Sequence, residues 1–138
     1  MSKKQITLRM IADHEYESVN ATGNKLRIDM YDGSEKKHQS PMELLLSGLA
    51  GCSAVDAVQM MKKKRREVRD FKIEAEGTRS DGIPSFYTSI HLHFVLTSPD
   101  ATQKEFEKVV KLAVDKYCSV ASSLKSEIHH TAEVIRPT

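Results

Sequence analysis

The stretch Ser40 to Arg66, SPMELLLSGLAGCSAVDAVQMMKKKRR, decides how the rest of the chain must be arranged. Its first residues carry the signals of a helix start. Ser40 is a capping residue, Pro41 suits the first helical position, and Glu43 completes a capping box. From Leu44 to Met61 apolar residues fall on nearly every side of the helix, among them Leu44, Leu49, Cys52, Val55, Val58 and Met61. A helix apolar all round is a buried helix. Small residues (Ser47, Gly48, Ala50, Gly51, Ser53, Ala54) cluster in its middle, where a neighbouring backbone can approach closely. Lys62 to Arg66 end it, and cations there complement the negative end of the helix dipole.

The flanking segments have strand periodicity. Gln5 to Ala12 alternates, with Ile6, Leu8, Met10 and Ala12 on one side. A second strand is expected over Tyr16–Ala21 and a third over Lys25–Met30, with a turn at Thr22-Gly23-Asn24. Asp32-Gly33-Ser34 then breaks this meander. After the helix, Phe71–Arg79 and Ser85–Thr97 read as strands joined through Asp81-Gly82-Ile83-Pro84, a hairpin. A second helix is expected from Ser98-Pro99-Asp100. It carries Phe106, Val109, Val110, Ala113, Val114 and Tyr117 on one face, and Cys118 follows directly. Ser119–Leu124 suits a short helical turn, and Glu127–Arg136 a last strand. The order β-β-β-α-β-β-α-β, with strands in antiparallel runs, predicts an α+β fold. One domain over 1–138 is expected, with the meander at about 1–37 and the α+β part at about 38–138. A sheet and the second helix cover only part of the long apolar helix, so a second subunit is the natural cover for the rest.

Composition agrees with that reading. A chain of 138 residues buries roughly 65–70% of its unfolded surface, enough for a real core without a structural metal or disulfide. Its apolar fraction is 39%, below the roughly 45–50% of typical soluble domains. A core completed by a partner explains that deficit. The formal charge of +2, from 21 basic and 19 acidic residues, suggests neither a nucleic-acid binder nor an acidic tail. The Lys62–Arg66 run reads as a solvated helix end. No signal peptide is visible, and no uninterrupted apolar run approaches the roughly 18 residues of a membrane span. A cytoplasmic protein with no membrane contact is expected.

The chain has two cysteines, Cys52 and Cys118, 66 positions apart. They show neither Cys-x-x-Cys nor zinc-ligand spacing. One reading is two buried, inert thiols. The other is a redox pair: a thiolate oxidised to a sulfenic acid, which a second thiol converts to a disulfide. That pairing requires Cα atoms roughly 4.4–6.8 Å apart, which sequence does not measure. An attacking thiolate also needs a cation or a helix N-terminus. Cys52 is mid-helix, so a cation would have to reach it from elsewhere. Asp56, one turn later, has the wrong charge for that task. His91 and His93 share a strand face and His129 and His130 point oppositely, without a third ligand at diagnostic spacing. No metal site and no cofactor are expected.

Residues 40–52, Ser40-Pro41-Met42-Glu43 through Gly51-Cys52, resemble the helix of the OsmC/Ohr family, whose small-residue stretch ends in a reactive cysteine. Lys116-Tyr117-Cys118-Ser119-Val120 is similar to that family's second cysteine segment. The meander, the lysine-ended helix and the last strand match the family layout along nearly the whole chain. The resemblance implies an OsmC-like intertwined homodimer with antiparallel sheets and two long central helices. It implies thiol-dependent reduction of organic hydroperoxides and hydrogen peroxide, with Cys52 peroxidatic and Cys118 resolving. An external dithiol, often lipoyl-linked, is the implied reductant. The family pattern places Glu directly after Pro. Here Met42 stands there and Glu43 one position later, about 100° around the helix, so Glu43 is carried as a candidate for orienting a cation or the substrate. The family's activating Arg has no motif match, and Arg9 and Arg27 read as solvent-side strand residues. The wording of residues 40–46 resembles the OsmC-like branch. A non-catalytic carrier of a lipid-like or sulfur-containing ligand is the alternative.

Overall fold

The computed structural model describes all 138 residues, which form two compact units, Met1–Leu45 and Leu46–Thr138. The mixed α+β class expected from the element order is the class observed.

The first unit is a three-stranded antiparallel meander of β1 (Ile6–Ala12), β2 (Glu15–Asn20) and β3 (Lys25–Asp29). Gly23, at φ +83°, turns the chain between β2 and β3 in the left-handed region that glycine tolerates. The register sets Leu8 opposite Ser18 and Ser18 opposite Leu26, so Ile6, Leu8, Met10 and Leu26 share one face. That apolar face is uncovered: these four are 49–68% exposed. The loop after β3 is organised by Asp29, which is fully buried. Its carboxylate accepts from Lys36 Nζ (2.9 Å) and from the backbone N–H groups of Lys37 (2.8 Å), His38 (2.7 Å) and Tyr31 (3.3 Å). Burial pushes the Asp29 carboxyl up, but the ammonium and the three N–H donors outweigh it. They hold the group well below the usual carboxylate range.

The long helix α1 (Pro41–Lys63) begins as its sequence predicts. Glu43 N–H donates to Ser40 Oγ (3.2 Å), and Ser40 N–H donates to Glu43 Oε1 (2.9 Å). Within the chain α1 buries only the stripe Leu49, Ser53, Ala57 and Met61. Val55 remains 57% exposed. By length and composition α1 could cross a membrane, and 22% of its most apolar 18-residue window is buried. The core helix of a soluble protein meets the same criterion. The expectation that no apolar run is long enough therefore holds only for uninterrupted runs, because Ser53, Asp56 and Gln59 break this one.

The second unit carries the sheet β4 (Asp70–Arg79), β5 (Tyr87–Thr97) and β6 (Glu127–Ile135). Ile90, Leu92, Phe94 and Leu96 alternate onto the buried face of β5. Phe71 meets Phe94 and Phe106 edge-on at centroid distances of 6.1 and 6.2 Å. Phe106 comes from α2 (Gln103–Leu112), which packs on β6. β4 and β5 are antiparallel as expected, but β6 runs parallel to β5. The expectation of antiparallel sheets is corrected here to one antiparallel and one mixed sheet. The physical reason is the crossover: α2 carries the chain back along the sheet before β6 begins.

A second correction concerns where α2 begins. The Ser98 hydroxyl accepts from the N–H groups of Asp100 (3.3 Å) and Ala101 (3.1 Å), which closes a turn and not a helix. The helix is capped by Thr102, whose Oγ1 accepts from Glu105 N–H while Glu105 Oε1 accepts from Thr102 N–H. Glu105 also takes a two-pronged contact from Arg66 (2.8 and 3.3 Å), which ties the end of α1 to the start of α2.

Candidate functional site

Past α2 the chain widens into one π-helical turn, Ala113–Tyr117, and then leaves the helix at Cys118. Cys118 has extended backbone angles and caps the short helix α3 (Ser119–Ser123), with its Sγ accepting from Ala121 N–H at 3.4 Å. The cap fixes the direction of this sulfur. It points at α1, where Ser53 Oγ donates to Cys118 Sγ at 3.4 Å. The Cys52 thiol, the neighbour of Ser53 in sequence, is near enough to Cys118 to raise its pKa. Thus two thiols 66 residues apart in sequence are brought together by α1 and the exit of the π turn.

Both thiols are free, and they differ in access. Cys118 is 1% exposed and Cys52 is half-buried. Burial pushes the Cys118 thiol up. The Ser53 and Ala121 donors oppose that shift, the adjacent Cys52 adds to it, and the net effect is upward. Of the two cysteines, Cys52 is the more exposed and Cys118 the more buried. Asp56, one turn beyond Cys52, lines an open cleft with Gln59, Met60, Lys63 and Tyr117, the residue before Cys118.

Glu43, in the first unit, serves as the reciprocal partner of Ser40. The Ser40 N–H, followed by its hydroxyl, holds the Glu43 carboxyl below its ordinary value. Arg27 is engaged with Glu17, Nε to Oε2 at 3.4 Å. His91 Nε2 and His93 Nδ1 share the Thr131 hydroxyl at 2.9 and 2.6 Å, and His130 faces Asp115 at 3.6 Å. No group of three or more His, Cys, Asp or Glu side chains converges as metal ligands. The residue that sequence reasoning missed is Ser53. It was visible only as one small residue among several, and nothing in its spacing announces a contact with a cysteine 65 positions later.

A small α+β protein with one cysteine on a long apolar helix and a second brought up beside it defines a recognisable class. Residues 33–133 match the family model described as OsmC-like protein, and the chain belongs to that family. Among individual relatives, Protein YhfA of Escherichia coli K12 is 35% identical over 118 residues, spanning 84% of this chain and 87% of its own. The crystal structure of a hypothetical protein from Aquifex aeolicus VF5 superposes over 100% of both chains, with TM-score 0.87 and 31% identity. The organic hydroperoxide resistance protein OhrB of Bacillus subtilis shares the fold, with TM-score 0.64 and 16% identity over 97% of this chain and 98% of that one.

Proposed function

We propose that this protein reduces hydroperoxides through a Cys52–Cys118 redox pair. The observation that carries the reading is the accessible thiol of Cys52 set against the buried thiol of Cys118. The Cys52 thiolate attacks the terminal oxygen of the hydroperoxide. The O–O bond breaks, Cys52 becomes a sulfenic acid, and the alkoxide takes a proton and leaves as alcohol. The Cys118 sulfur then attacks the sulfenic sulfur. The S–S bond forms, and the hydroxyl leaves as water with the thiol proton. An external dithiol resets the pair by exchange. The hydroperoxide resistance role of the Bacillus subtilis relative supports this direction.

The proposal extends to a cytoplasmic homodimer. A second copy of the chain is the occupant that suits the apolar meander face and the uncovered sides of α1. Glu43 is proposed to orient a cation or the substrate through Oε2, since Oε1 is taken by the Ser40 N–H.

The test is anaerobic mixing of reduced protein with a bulky organic hydroperoxide and with hydrogen peroxide, followed by intact mass. The parent should lose two hydrogens as a disulfide, Cys118→Ser should stall as a sulfenic acid, and Cys52→Ser should not react. A Cys52 that stays a thiol under excess peroxide would contradict the reading. Carriage of a lipid-like or sulfur-containing ligand without turnover would then be the reading to test.

A further inference from the structure

Three features single out Ser53 from the other small residues of α1. It is a fully buried polar residue on an otherwise apolar buried stripe, between Leu49 and Ala57. Its hydroxyl spends its hydrogen on a sulfur, Cys118 Sγ at 3.4 Å. It also adjoins Cys52 in sequence, so one helix carries both the first thiol and a donor to the second. A serine buried only for its size would need no such partner, and alanine would fill the place without a polar group to satisfy.

We propose that Ser53 is a positioning residue for the second thiol, holding the Cys118 sulfur beside Cys52 and stabilising it as it becomes the attacking thiolate. This rests on the redox reading above and adds how its second step is made fast. Cys118 sits where water does not reach, so charge on its sulfur must be met by protein donors. The structure supplies two, Ala121 N–H from the α3 cap and Ser53 Oγ–H from α1. The Ser53 hydroxyl is not consumed: the thiol proton leaves with the sulfenic hydroxyl as water. Fast condensation also protects Cys52, because a sulfenic acid left waiting is oxidised irreversibly to the sulfinic acid.

The test is Ser53→Ala, read in two arms. In the first, reduced protein is treated with excess organic hydroperoxide and its mass is followed. Disulfide formation should slow roughly tenfold, the order expected for losing one hydrogen bond to a charged sulfur. A sulfinic form of Cys52 should accumulate in the variant and not in the parent. In the second arm no peroxide is used. Cys52 is loaded as a mixed disulfide with thionitrobenzoate, and release of the chromophore reports attack by Cys118. Cys52, the titratable group that faces Cys118, is then out of the titration. The rate profile against pH should move to higher pH in the variant, a change that loss of packing alone does not produce. Equal rates and superimposable pH profiles for parent and variant would overturn the assignment. Slower release in the second arm with Cys52 inert to peroxide would support Ser53 while overturning the peroxidase reading.

Discussion

Gly77, near the C-terminal end of β4, is a glycine for a reason that can be measured. A Cβ built there would lie 2.5 and 2.6 Å from Tyr87 Cε1 and Cδ1, and 3.1 Å from Cζ. Carbon atoms rest about 3.5–4.0 Å apart, so the ring would have to retreat by about 1 Å. It has little room: Tyr87 is 6% exposed, and its carbonyl is held by Ser126 Oγ at 2.8 Å. Forcing a methyl into such a site costs about 1–3 kcal/mol. Removing a strand glycine returns about 0.5–1 kcal/mol of chain entropy. Gly77→Ala should therefore destabilise by about 1–2 kcal/mol, which lowers the melting temperature by roughly 4–8 °C in a chain of this size. Guanidinium denaturation at fixed protein concentration should show a lower midpoint with unchanged slope. In a Tyr87→Ala background the same substitution should reverse sign and stabilise by about 0.5–1 kcal/mol, because only the entropic part is left. A Gly77→Ala protein as stable as its parent, or the same loss with and without the tyrosine ring, would refute the steric reasoning.

Other expectations follow from the same geometry. Asp29 has a lowered pKa in the folded state, so its contribution is fully present above the unfolded carboxyl value of about 3.9 and is lost as pH falls toward the folded value. Melts of the parent should fall through that acid range, and Asp29→Asn should be destabilised at neutral pH and flatter in acid; an unchanged acid limb would contradict the clamp. Phe106→Ala empties the site where α2 meets Phe71 and should cost about 3–5 kcal/mol by denaturation, with a smaller loss for Phe106→Leu, which leaves a smaller cavity. Glu43→Gln keeps an oxygen for the Ser40 N–H while removing the charge that the cap favours, so it should cost a little stability at neutral pH and lower the rate of Cys52 oxidation; an equal rate would assign Glu43 to capping alone.

What could be read from sequence depended on whether the signal was local. The start of α1 was legible because Ser40 and Glu43 satisfy each other within one turn. The alternation of β1 and the strand over Ser85–Thr97 were legible because strands repeat every two residues. The start of α2 was misplaced because Ser98-Pro99-Asp100 carries the same residue types as a cap, while the true box, Thr102 with Glu105, lies four residues on. The direction of β6 was not legible, since a period of two is the same read either way. Cys52 and Cys118 were found as candidates because cysteine is scarce in this chain. Their meeting depends on the π turn and the α3 cap, which no periodicity marks. Ser53 illustrates the remaining gap: its chemistry comes entirely from a residue distant in sequence.

The most direct test of the central claim is a single turnover of reduced protein with a limiting organic hydroperoxide, counting alcohol released and Cys52–Cys118 disulfide formed by peptide mapping under non-reducing conditions. One alcohol per disulfide, with neither formed by Cys52→Ser, is the predicted result. Hydroperoxide left intact, or alcohol released with both thiols still free, would contradict it.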